Sequence, residues 1–365
     1  MKRLAILVVV LVLSLTSTGF ADDEYYDPIM VKAVVLEAGE AVTEEGMYEG
    51  IKVQHVKVKI TSGIYKGMVL DLDNHMSDNI VYDIVVKEKD KVIVVIDDED
   101  NLSDAYISDF QRSNYIFYLV GIFVILILAI GKIKGLKSVI SLGLTVASVF
   151  YILLPMLLKG ANPIPVSIAI AIGVTVVTIL LVSGVNYKSV AAILGTSSGV
   201  LVAGIISYYI GSKAHLTGLN SEEASMLMYI PQNITFNFRN LLFAGIILGA
   251  LGAVMDVGMS IASAIDEIHN ANNKLTTKDL FKSGMNVGKD IMGTMTNTLI
   301  LAYTGSSIPL LLLFSAYEAS LIKVLNLDII ATEAVRSLAG SIGLVLTIPI
   351  TALISSIMTK KQKQS

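Results

Sequence analysis

The chain has 365 residues, 54% of them hydrophobic and only 16% charged, with a mean hydropathy of +0.70. A soluble protein is usually about 45–50% apolar and about 25% charged, so much of this chain is membrane-like. The net charge of −4 arises from residues 22–112 and by itself says nothing about nucleic acid, but no basic nucleic-acid footprint is present, and the absence of cysteine excludes disulfides, thiolate metal sites and a cysteine nucleophile.

Residues 1–21 read as a signal peptide. Lys2 and Arg3 precede the apolar run Leu4–Leu13, and Gly19-Phe20-Ala21 puts small residues where a signal peptidase reads. An exported segment, residues 22–112, follows. It holds a small β domain with an acidic linker at Asp97–Asp100. Lys52–Ile60 alternates like a half-buried strand, Lys91–Ile96 is a second apolar run, and glycines punctuate the rest. About five short strands suggest a small all-β barrel of the OB or SH3-like kind. His55 falls on the solvent side of its strand. His75 stands among Asp71, Asp73 and Asn74, a grouping that turn chemistry explains as well as a cation does.

Residues 113–365 are expected to form an α-helical polytopic domain. Seven apolar segments fall near 115–131, 136–158, 164–184, 188–211, 240–262, 291–314 and 338–358. With the β domain outside, the connections that lie inside carry eleven lysines, among them Lys132, Lys188, Lys274, Lys289 and Lys360. The outside ones carry only Lys159, Lys213, Arg239, Lys323 and Arg336. That bias matches the positive-inside rule and puts the C-terminus in the cytoplasm.

The informative polar residues lie inside the apolar segments. Asp256, Ser260, Ser263 and Glu267 step by four, three and four, which places them on one helical face. Gly245, Gly249 and Gly252 form a ridge where another helix can pack closely, more simply within one chain than between two copies. In the next segment Asn286, Asp290, Thr294 and Asn297 also share a face, and antiparallel neighbours would bring the two faces together, Asn297 beside Asp256. A mid-span Asp costs at least about 2.5 kcal/mol on insertion scales. Three readings follow. The residues form a pathway for a small ion or solute, with oxygen ligands suited to a proton or hard cation. Alternatively Asp256 only fixes helix packing. The third reading, an intramembrane hydrolase, lacks support, because no HExxH or GxSxG occurs in the membrane region. No GxxxxGK[ST] loop is present either, so the chain carries no ATPase of its own. No enzyme activity, cofactor or bound metal is expected. The partners are the lipid bilayer, a small ion or solute, and an envelope protein reached through the β domain.

The stretches GALGAVMDVGMSIASAIDEI and KDIMGTMTNTLILAYTGSSIPLLLLF carry a recognisable pattern: Gly252-Ala253-Val254-Met255-Asp256-Val257, Ser260 to Ser263, Asp290 with Gly293, and Asn297-Thr298-Leu299. In these residues the chain resembles the YibE/F-like family of bacterial multi-pass membrane proteins, over roughly residues 115 to 360. The resemblance implies a permease-like protein of the bacterial plasma membrane, and an exported β domain fits it. It brings no assigned substrate or catalytic residue. The alternative is a non-transporting scaffold or sensor whose β domain binds an envelope partner.

Overall fold

A computed structural model describes residues 29–43, 52–76, 83–97, 105–230, 234–318 and 320–361. The signal peptide expected at residues 1–21 and most of the acidic linker, Asp98–Asp100, lie outside the described residues. The chain divides into two compact units, one running up to Leu126 and the other from Ile127 onward.

The described residues of the first unit form six strands: β1 (Ile29–Ala38), β2 (Val42–Thr43), β3 (Lys52–Ile60), β4 (Val69–Met76), β5 (Lys91–Ile96) and β6 (Tyr106–Phe110). All pairs are antiparallel, with β3 between β1 and β4, β5 on the far edge of β1, and β6 outside β5. A fourth strand that returns beside the first of a three-strand meander is a Greek key. β4 and β6 approach each other at the open side, so the sheet curls into a half-barrel. This is the all-β barrel-like domain expected from the alternation. Register puts Val35 opposite Val58 and Val31 opposite Val94, and these valines with Ala33, Ile60, Leu72 and Val92 fill the core.

Two buried amides do what a further strand would otherwise do. Gln54 and Asn74, 3% and 6% exposed, sit opposite each other on β3 and β4. Gln54 Nε2 donates to Gly39 O (3.0 Å) and Val86 O (2.8 Å), and its Oε1 accepts from Val86 N–H (3.1 Å). Asn74 Nδ2 donates to Ile84 O at 2.6 Å. Ile84 O and both backbone groups of the buried Val86 are thus satisfied by side chains, as buried backbone requires. On the outer face His55 is exposed, as its alternation predicts, and bonds Asp73 directly across the ladder. Lys57 stands 3.7 Å from Asp71. The acceptors around His75 are therefore engaged in cross-strand pairs.

All seven apolar segments are helical, but they are joined differently from the expectation. The first two lie in one run, α1 (Ser113–Ser148), a π-helical turn (Val149–Leu153) and α2 (Leu154–Leu158), 46 residues in all. At 1.5 Å per residue that is about 69 Å, against about 30 Å for a hydrocarbon core. Lys132, with φ 47° and ψ −123°, breaks the helix at the basic stretch expected to separate two spans. The remaining long helices are α3 (Pro163–Ser183), α4 (Tyr187–Lys213), α6 (Phe238–Ala271), α7 (Thr277–Ser306) and α10 (Asp328–Lys361). Between them lie the short α5 (Glu222–Met226), α8 (Ile308–Ala316) and α9 (Leu321–Leu325). Among the described residues five helices are long and apolar enough to cross a membrane, and six if α7 and α8, bent by 62° at Ser307, form one span.

The stretch between the two acid-bearing apolar segments, 240–262 and 291–314, is not a long loop. α6 runs on to Ala271 and α7 starts at Thr277, leaving a five-residue turn. Hydropathy marks where a segment turns polar, not where its helix ends. Leu280, Gly284 and Gly288 continue a buried stripe through the charged part of α7. Thr276 opens α7 with a capping box: its hydroxyl accepts from Asp279 N–H (3.2 Å) while Asp279 Oδ2 accepts from Thr276 N–H (3.0 Å). Thr276→Ala should lower the stability of the helical unit by about 1 kcal/mol, seen as a lower unfolding midpoint in detergent.

α4, α6 and α10 pack on one another, with α3 against α4 and α6, and α7 against α6 and α10. Val200, Val254, Ile261, Ile265, Leu344 and Ile348 form the shared core. Glycines set the close approaches. A Cβ at Gly199 would meet Gly343 O at 2.8 Å and Val254 Cγ1 at 2.9 Å, and one at Gly258 would meet Thr196 Oγ1 at 2.6 Å. Gly195 faces Thr351 in the same seam, and Gly288 faces Ile348.

Candidate functional site

α6 organises the site. Asp256 follows eighteen residues of this helix and precedes fifteen, so it sits near the middle. The helix buries Val254, Val257, Gly258, Ile261 and Ile265 against its neighbours. Its opposite side is open. Asp256 and Glu267 are exposed, and Ser260 and Ser263 are half-buried.

The glycine ridge belongs to this same open side. Gly245, Gly249, Gly252, Asp256, Ser260, Ser263 and Glu267 step by four, three, four, four, three and four. At 3.6 residues per turn they fall within an arc of about 80°. A Cβ at Gly245 or Gly252 would touch nothing within 4 Å, and one at Gly249 would meet only Tyr303 Oη, at 3.1 Å. These glycines therefore do not carry the packing within the chain that their spacing suggested; Gly195, Gly199, Gly258 and Gly343 do. Spacing shows that residues share a face, but not which face a neighbour covers.

The two acidic stripes do not meet. α7 turns Gly284, Gly288 and Leu299 toward the bundle. Asp290 lies about 200° around the helix from Gly288, and Asn297 the same distance from Leu299. Asp290, Thr294 and Asn297 are accordingly exposed on the outer side of α7. Thr294 Oγ1 donates back to Ile291 O at 3.0 Å, spending its hydroxyl on its own helix. Among the described residues neither Asp256 nor Asp290 has a hydrogen-bond or ion-pair partner, so Asn297 is not a ligand beside Asp256 in one chain. No three His, Asp or Glu side chains among the described residues are grouped to hold a metal.

What this arrangement offers is a strip of minimal side chains leading to an unpaired carboxylate halfway along a membrane-length helix. An isolated carboxylate in hydrocarbon is costly. Water, a cation or another polypeptide must face it, whereas a purely structural Asp would have a partner in its own bundle.

A second polar feature escaped the sequence reading. Thr347, Thr351 and Ser355 step by four down α10 and are fully buried, the two threonines against α4. Thr347 Oγ1 back-bonds to Gly343 O at 2.9 Å. The hydroxyls of Thr351, Ser355 and Thr196 have no partner among the described residues. The signal was available as a four-step hydroxyl stripe, but hydroxyls are common in apolar helices and do not announce burial.

Comparison with known proteins agrees with both units. The family model described as YibE/F-like protein matches residues 119–361, and the model for the YibE/F family N-terminal domain matches residues 25–110. No curated protein and no solved structure matches the chain. With the β half-barrel under one model and the apolar helices that carry Asp256 under the other, the chain belongs to the YibE/F-like family of membrane proteins.

Proposed function

We propose that the protein is a permease-like plasma-membrane protein that passes a small ion or solute along the open face of α6, with Asp256 as its central polar station. One observation carries this reading: Asp256 is mid-helix, exposed and unpaired, in a continuous stripe of Gly and Ser that ends at Glu267. Small side chains leave room beside the helix, and serine hydroxyls with a carboxylate suit a proton or hard cation. The lysine-rich connections support an orientation with the β domain outside and the C-terminus inside. The chain has no ATP-binding loop, so movement is driven by a gradient or by a partner, and no enzyme chemistry is invoked.

Accessible cysteines test this directly, since the chain has no native cysteine to give background. A membrane-impermeant thiol reagent should label Ser260→Cys, while Leu312→Cys, on an exposed apolar face of α8, stays protected in lipid. Asp256→Asn should abolish flux of the labelled pathway's ion in vesicles without lowering the unfolding midpoint. Protection of Ser260→Cys from both sides, with and without an imposed proton gradient, in folded protein would remove the pathway. It would leave the scaffold reading, in which the β half-barrel engages an envelope partner.

A further inference from the structure

A cavity of about 280 Å³ opens where α4 begins and α6 and α10 end. Lys188 projects into it from the first turn of α4, Asp266, His269 and Asn270 from the last turns of α6, and Thr359 from α10. It lies apart from the Asp256 stripe: Asp266 is about 80° around α6 from Asp256 and His269 about 140°. Thr359 is the next four-step position after Thr347, Thr351 and Ser355, so the buried hydroxyl stripe of α10 ends in this cavity.

Its most telling member is His269. The residue is 4% exposed, and neither ring nitrogen has a hydrogen-bond partner among the described residues. Buried polar groups are nearly always satisfied, and an orphan needs an explanation. A neutral imidazole offers one donor and one acceptor. Beside it, Lys188 Nζ and Asp266 Oδ2 stand 3.4 Å apart, with side chains only 25% and 28% exposed. Asn186 is already spent as the α4 cap, its Oδ1 accepting from Ser189 N–H at 2.9 Å and its Nδ2 donating to Ser183 O at 2.8 Å. Both His269 nitrogens are closed off from solvent, so the groups left to face a ligand are one cation, one anion, the Thr359 hydroxyl and the Asn270 amide.

That set selects by charge. A simple anion drawn to Lys188 would take it from Asp266 and leave a half-buried carboxylate unpaired. A simple cation would strand Lys188 in the same way. A compact zwitterion satisfies both, its carboxylate on Lys188 and its ammonium on Asp266, with Thr359 and Asn270 completing the bonds. The volume, about nine waters' worth at about 30 Å³ each, lies just below the about 300–1,000 Å³ of sites for drug-sized molecules. We propose that this cavity binds a free α-amino acid. The inference is independent of transport along the Asp256 stripe.

The test uses the full chain in lipid nanodiscs, titrated separately with glycine, L-alanine, L-serine and L-glutamine, and with acetate, methylammonium and inorganic phosphate. At least one amino acid should raise the unfolding midpoint and give a saturable isotherm, while the three probes that carry only one sign of charge do neither. Thr359→Val, which keeps the shape of the side chain, should weaken binding by roughly 2–10-fold, the equivalent of one hydrogen bond. Lys188→Met and Asp266→Asn should each weaken it more than 10-fold. Phosphate or acetate acting as well as the amino acids would make this an anion site. Methylammonium acting alone would make it a cation site. No response to any amino acid by protein with a sharp unfolding transition would leave a water-filled cavity. Each of these three results overturns the proposal.

Discussion

Gly199→Val is expected to collapse the helical unit, while Gly252→Ala leaves it as stable or more so. Both are glycines in membrane-length helices, yet their surroundings differ completely. At Gly199 a Cβ would run into the Gly343 carbonyl and Val254, and still closer into the Thr347 hydroxyl. The Gly343 oxygen is backbone and cannot rotate away, so α4 and α10 must separate. Overpacking usually costs about 1–3 kcal/mol; moving two helix backbones sets the expectation at or above the upper end. At Gly252 nothing lies within 4 Å, and Ala gains up to about 1 kcal/mol of helix propensity over Gly. Thermal unfolding of both variants in the same detergent makes the comparison. A loss of stability in Gly252→Ala, appearing in lipid but not in detergent, would show that the open face of α6 is covered by another polypeptide in the membrane. That would count against a water-lined path.

The second large effect is expected in the β half-barrel. Gln54→Leu should destabilise that unit by about 3 kcal/mol or more. The substitution keeps the side-chain volume and so leaves little cavity. It removes the acceptor for Val86 N–H and the donor to Gly39 O and Val86 O in a place only 3% exposed. Each buried group left unsatisfied costs about 1–3 kcal/mol, a large share of the about 5–15 kcal/mol that holds an ordinary domain. The readout is amide hydrogen exchange on the full chain. Val86 should lose its protection, with Val35 and Val58 in the central ladder following as the unit opens globally. Retained protection at Val86 would mean that water or a neighbouring group replaces the amide and that the segment is held by packing alone. Gln54→Glu separates the two roles, since it keeps the acceptor and loses both donors.

These two cases show what could be read from the chain and what could not. Strands β3 and β5 were legible because alternation and an apolar run are local properties. The seven apolar segments were legible for the same reason. The short interior turn was not legible from hydropathy, because α6 and α7 continue past their apolar parts, held by Ile265 and Gly284 in contact across the pair. The polar amides Gln54 and Asn74 gave no sign of burial, since their partners are backbone groups far away in sequence.

The glycines make the division sharpest. Among the four-step glycine pairs in helices are Gly195–Gly199, Gly245–Gly249 and Gly284–Gly288, and as sequence these are equivalent. Only the packing decides that the first joins α4 to α10, that Gly288 seats α7 against α10, and that the second lies open. By itself the sequence determined the membrane class, the β domain, the family, and the fact that Asp256 shares a face with Ser260, Ser263 and Glu267. The tertiary structure decided that this face is uncovered, that the Asp290–Asn297 stripe points away from it, and that His269 and Lys188 meet Asp266 at a cavity. Helical periodicity is a property of one helix, whereas coverage of a face depends on which other helices pack against it.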